Sequence, residues 1–210
     1  MSEHQSSLSS SFYSNLDTIL QSVLGDDILL AVNHAVNSYV ETVNKCQINY
    51  ADVQDDDIKN QLEDDNKMML IARSRNDFVE YCKCATLSIE SVLRYFKDIN
   101  KNNYEVFFDN NNFPYKSKYI ELKFWFDFMN ENRMSQEYWD LECILRLRDA
   151  TSHRKLGLAD VEQMIREFNN RNAVIRDKTI LFYKNRNFEK VKNRTEWLIK
   201  KTLVNLQILR

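Results

Sequence analysis

The chain predicts an all-α fold, and three observations carry that prediction. It holds 2 glycines and 1 proline in 210 residues, too little turn punctuation for the many short strands of a sandwich or barrel. Its apolar residues recur at steps of three and four, most clearly at Phe78, Cys82, Ala85, Ile89, Val92, Phe96 and Ile99, which is the period of a helix buried on one side. Its length is enough to bury a real core without disulfide or metal staples, as one ordinary domain or a core with an appendage.

Taken in order, Phe12, Leu16, Ile19, Leu20 and Val23 mark a helix over Phe12–Leu24 that Gly25 closes, as a C-terminal glycine does. Asp26 or Asp27 then caps a second helix with Leu29, Val32, Val36, Val40 and Val43 on one side, and together the two read as an αα-hairpin. Residues 51–66 are mostly acidic with isolated apolar positions, so they read as a linker or an exposed first turn. The expected organisation is therefore an acidic helical extension over 1–66 and a helical core over 67–210.

The core begins with the helix from Asn76 to Ile99. Lys101–Lys118 is asparagine-rich, contains Pro114 and reads as a long connection pinned by Phe107, Phe108 and Phe113. Tyr119–Met129 carries Phe124, Trp125, Phe126 and Phe128, a helix apolar on most sides that suits a central position or an oligomer interface. Gln136–Arg148 is helical. Leu158, Val161, Met164, Ile165 and Phe168 mark another helix after Gly157, Thr179–Tyr183 is short and strand-like, and Phe188–Leu209 reads as a final basic helix.

The net charge of −2 hides two opposed parts, −10 over residues 1–66 and +8 over 67–210, with +8 in residues 171–210 alone. A basic segment of this kind suits a phosphate backbone. The four cysteines, Cys46, Cys82, Cys84 and Cys143, form no C-x-x-C pair and fit reduced core thiols in a cytoplasmic protein. The polar first ten residues and the shortness of the apolar run Ile28–Val32 argue against a secretory leader or a membrane span. Gly25 and Gly157 are too far apart for a dinucleotide fingerprint, a Walker loop or a nucleophile elbow. His4, His34 and His153 are scattered, so no metal site is expected, and no cofactor is expected either. Cys143, among Leu and Ile, reads as core rather than as a nucleophile.

What remains is the stretch Leu141–Leu156, where an apolar approach runs into Arg146, Arg148, Asp149, His153, Arg154 and Lys155. On a continuous helix Arg146 and His153 fall nearly on one line, whereas Arg148 and His153 stand about 140 degrees apart. A break near Ala150–Ser152, where Thr and Ser can bond the local backbone, would turn Arg148 toward the histidine as well. Either geometry sets a permanent cation beside an imidazole.

The segment R-D-A-T-S-H at Arg148–His153 resembles the R-x4-6-H motif of HEPN domains, all-α bundles whose ribonuclease members commonly carry a polar residue directly after the arginine, here Asp149. The preceding helices, ATLSIESVLRYF at Ala85–Phe96 and then the aromatic helix, are similar to the family over roughly residues 67–210; residues 1–66 lie outside the resemblance. The resemblance implies a helical bundle and a metal-independent ribonuclease with RNA as substrate. It implies a homodimer with the site at the interface, and a toxin or anti-phage setting compatible with an antitoxin or other protein partner. His153 would transfer protons, Arg148 and Arg146 would brace the phosphate, Asp149 would orient a neighbouring side chain, and Arg154 and Lys155 would hold RNA. A HEPN-type module that binds RNA, nucleotide or a protein partner without cutting is the alternative.

Overall fold

The computed structural model describes residues 26–45, 47–51, 53–152 and 160–207. Among these the chain is all-helical, with no strand. None of the described helices is long and apolar enough to cross a membrane. The chain divides into two compact units, Met1–Lys45 and Cys46–Arg210.

In the first unit α1 spans Asp26–Asn44, where its valines predict it; the expected companion Phe12–Leu24 lies outside the described residues. In the second, residues 47–50 are a non-helical segment whose Ile48 and Tyr50 are buried, and a turn closed by Val53 N donating to Tyr50 O at 3.1 Å brings in the buried Val53. Asn66 fastens this segment as a neighbouring strand would: Ile48 N donates to its Oδ1 at 3.3 Å and its Nδ2 donates to Ile48 O at 3.3 Å.

The acidic run is not a linker. It forms the first half of α2 (Asp56–Ser74), so the boundary expected after residue 66 falls inside a helix and the division lies at Lys45/Cys46 instead. The acids are well placed for this. Asp55 caps α2 by accepting from Asp57 N and Ile58 N, both at 3.1 Å, and Asp56 and Asp57 sit in the first turn, where a carboxylate meets the positive end of the helix. The isolated apolar positions Ile58 and Leu62 are buried anchors.

A tight link follows, with Asn76 in the left-handed region at φ 54°, a conformation asparagine tolerates better than most residues. Asp77 then caps α3 (Phe78–Ile99). The two helices run antiparallel, as the bonds Tyr95 to Asp55, Gln61 to Ser91 and Ser88 to Asp65 require. Of the seven periodic positions that predict α3, all but the terminal Ile99 are buried.

Lys101–Lys118 is not one long loop: Lys101–Asn110 forms α4. Asparagine is a poor helix former, but Tyr104, Phe107 and Phe108 fall on one face. Tyr104 is buried against Phe124 at 5.2 Å between centroids, while Phe107 packs on Phe113 and Phe124. Tertiary packing therefore overrides propensity.

The aromatic helix α5 (Lys118–Phe128) is central, as its composition allows. Trp125 is fully buried, its Nε1 donates to Thr202 Oγ1 at 2.7 Å, and its ring meets Trp197 at 5.4 Å. α6 (Gln136–Ser152) runs through the middle of the bundle and contacts α3, α5, α7 (Val161–Phe168), α8 (Ala173–Asn185) and α9 (Phe188–Asn205). The strand-like Thr179–Tyr183 lies inside α8; the Thr179 hydroxyl satisfies itself by donating to Ile175 O at 2.7 Å. At the base of the bundle Phe78 and Tyr81 of α3 meet Phe188 of α9 edge-on at 5.2 and 5.0 Å, the geometry aromatic rings prefer.

Candidate functional site

Arg146, Arg148 and Asp149 occupy the last two turns of α6; His153, Arg154 and Lys155 lie outside the described residues. The helix does not break at Ala150–Ser152. Thr151 Oγ1 donates to Leu147 O at 2.8 Å and Ser152 Oγ to Arg148 O at 2.7 Å, so the hydroxyls bond back into the helix rather than diverting its backbone.

Asp149 is the hub of this end of α6. Its carboxylate, nearly inaccessible to solvent, accepts from Tyr119 OH at 2.6 Å, from Arg148 Nη1 at 2.9 Å and from Lys118 Nζ. Lys118 simultaneously pairs with Glu90 Oε1 at 2.8 Å. One residue type at one position thus joins α3, α5 and α6. Burial alone would push the Asp149 carboxyl up, but the Lys118, Tyr119 and Arg148 donors outweigh it and hold it below the usual range. Burial, reinforced by Asp149, pushes the Tyr119 phenol up strongly, so it stays a donor. With three donors on its oxygens, Asp149 has little capacity left to take a proton and is suited to fixing Arg148.

Arg146 is held differently. Its Nη2 donates to Glu142 Oε1 at 3.1 Å and its guanidinium lies 3.8 Å over the Tyr119 ring. Glu142, Arg146 and Asp149 follow at helical steps of four and three, so α6 turns all three toward Tyr119. The Arg146 Nε is buried with no partner. Arg148 is the more open of the two, with a third of its side chain accessible against 22% for Arg146, and its pairing with Asp149 stabilises its charge. Of the two arginines that match the motif spacing, Arg146 is clamped flat on an aromatic ring and Arg148 presents a braced, partly open fork.

Lys118, Tyr119, Glu90 and Glu142 belong to this cluster and sequence reasoning missed them. Lys118 and Tyr119 lie some thirty residues from Asp149, and their only local signal is a polar pair opening an otherwise aromatic helix.

Cys143 is a core thiol. It is buried, burial pushes it up to about 12, and its Sγ accepts from the Thr179 hydroxyl at 3.9 Å. Cys82 and Cys84 are likewise free and buried. No group of His, Cys, Asp or Glu among the described residues is arranged to hold a metal ion. No protein-family model, no curated protein and no solved structure matches this chain.

Proposed function

We propose that the protein is a metal-independent endoribonuclease that cleaves RNA in the cytoplasm, in a toxin or anti-phage role, as a two-fold dimer that pools two copies of the Arg148–His153 segment. The observation that supports this best is the fixing of Arg148: a buried carboxylate, itself locked by Lys118 and Tyr119, holds a partly open guanidinium that stands five residues ahead of His153 in the sequence. A planar, pre-oriented fork of this kind suits a phosphate whose charge grows during reaction.

In the proposed reaction the RNA 2′-hydroxyl gives its proton to His153 and attacks the adjacent phosphorus. The phosphorus–5′-oxygen bond breaks, a 2′,3′-cyclic phosphate forms, and the 5′-oxygen leaves with a proton from the partner subunit's His153. In-line displacement puts base and acid on opposite sides, which one imidazole cannot serve, whereas a two-fold axis supplies two.

A non-cutting RNA- or partner-binding module is the second reading, favoured by one feature: both guanidiniums already face anions, Arg146 with Glu142 and Arg148 with Asp149. Incubating the purified protein with total RNA in EDTA, beside His153→Ala, separates the two. The first reading expects EDTA-resistant cleavage that the substitution abolishes. Salt-sensitive RNA retention without cleavage establishes the second, and cleavage that survives His153→Ala refutes the assigned site.

A further inference from the structure

On the side of α6 that faces α8 and α9, the structure contains a cleft of about 150 Å³ that the site above does not use. We propose that this cleft is a subsite for one base of single-stranded RNA, a pyrimidine by its size, with the flanking phosphate held by Lys178. The inference deepens the RNA reading given above and rests on it for the identity of the polymer.

Size is the first argument. A volume of about 150 Å³ is enough for a single six-membered ring such as benzene, so this cleft, whose lining is part apolar and part polar, has room for one pyrimidine ring. Chemistry is the second. The lining includes Trp139 from α6, Leu181, Phe182 and Asn185 from α8, and Asn187, whose Oδ1 already caps α9 by accepting from Lys190 N at 2.8 Å. A flat aromatic side chain beside the Asn185 amide is what a base needs, one for its face and the other for its hydrogen-bonding edge.

Charge is the third argument. The buried Asp140 carboxylate in the cleft is already satisfied, by Lys190 Nζ at 2.8 Å, Arg194 Nε at 3.0 Å and Gln136 Nε2 at 2.7 Å. It therefore does not demand a cationic ligand. Lys178 has no ion pair among the described residues; its Nζ rests 4.4 Å over the Trp139 ring. A cation parked on an indole face, with no carboxylate of its own, can exchange that contact for a phosphate without leaving an anion exposed. The surroundings agree, since residues 171–194 carry a net charge of +6. That potential attracts a polyanion.

The test uses the full chain carrying His153→Ala, so that bound RNA is not cut, titrated with a short oligouridylate and with inorganic polyphosphate. Oligouridylate is expected to quench a tryptophan signal that Trp139→Phe removes, and polyphosphate is expected to bind without that quench. Trp139→Leu is expected to weaken oligouridylate roughly 5- to 150-fold, the range for one lost stacking contact. Lys178 is exposed, so Lys178→Glu gives a variant whose folding is not at stake, and it is expected to weaken binding at least as much. Unchanged affinity in Lys178→Glu overturns the proposal. So does equal quenching by polyphosphate, which would reduce the cleft to a charged patch, and so does equally tight binding of polyglutamate, which would assign it to acidic protein segments. The two readings fail differently. Lys178-dependent binding in a protein that never cuts RNA removes the nuclease and leaves the subsite, whereas cutting that is indifferent to Lys178 and Trp139 does the reverse.

Discussion

Replacing Asp149 by alanine removes the acceptor that ties three helices together at the end of α6. Deleting one partner of a buried ion pair costs about 3–5 kcal/mol, chiefly because the opposite charge is left uncompensated. Here Lys118 keeps Glu90 at 2.8 Å and Arg148 is one-third accessible to water, so neither cation is fully stranded. The part-buried Tyr119 hydroxyl does lose its acceptor, which costs about 1–3 kcal/mol by itself. A loss of about 2–4 kcal/mol is therefore expected for Asp149→Ala, and about half that for Asp149→Asn, which keeps one acceptor oxygen. In urea this corresponds to a fall in midpoint of about 1 M or more at unchanged slope.

The pH dependence has a definite sign. The folded carboxyl titrates below its ordinary value of 3.8, so its stabilisation is complete above that value and disappears as the pH falls through the lower folded value. The gap between wild type and Asp149→Ala should stay flat from neutrality down to about pH 5 and close below about pH 4. A loss of under about 0.5 kcal/mol, the level of an ordinary surface change, would show that the hub does not hold the helices and that Arg148 is not fixed by it.

Two further outcomes test other parts of the structure. Cys82, Cys84 and Cys143 are buried, and burial raises all three, Cys84 to about 11 and Cys143 to about 12. At pH 8 they should therefore resist a disulfide reagent in the native protein and react promptly in urea; fast native labelling of any of them refutes the packing of α3 on α6. Arg186 closes α8 at φ 42° and ψ 44°, a left-handed conformation that costs a non-glycine residue about 1–2 kcal/mol. Arg186→Gly gives up a guanidinium contact with the Tyr183 ring at 5.7 Å; the expected net gain is about 0.5–1 kcal/mol, or roughly 1–4 °C in melting temperature. A lower melting temperature would mean that the side-chain contact outweighs the backbone strain.

Sequence reasoning located the elements whose burial is one-sided and long, because those leave a periodic trace. α3 is the clearest case, since six of its seven marked positions are buried. Where a helix is decided by a few anchors, the trace fails. α4 rests on Tyr104 and its phenylalanine neighbours amid asparagines, and α2 rests on Ile58 and Leu62 amid acids. The Thr179–Tyr183 stretch has the β-branched and aromatic composition of a strand, yet helical contacts of α8 with α6 and α7 absorb it. At the site, the proximity of Arg146, Arg148 and Asp149 was legible because one helix carries them. The partners that distinguish the arginines were not, since Lys118, Tyr119 and Glu90 arrive from other helices through pairings that leave no local pattern.

The clasp between Asn66 and Ile48 sets where this protein can be shortened. The sign of the charge changes near residue 66, which makes that an inviting place to cut. A cut there would amputate half of α2 together with Leu62 and Ile58, wetting the flank of α3 that carries Ser88, Ser91 and Tyr95 and inviting aggregation. Starting the chain at Cys46 retains the clasp and every buried residue of the larger body, so a minimal fragment begins some twenty residues earlier than charge alone would advise.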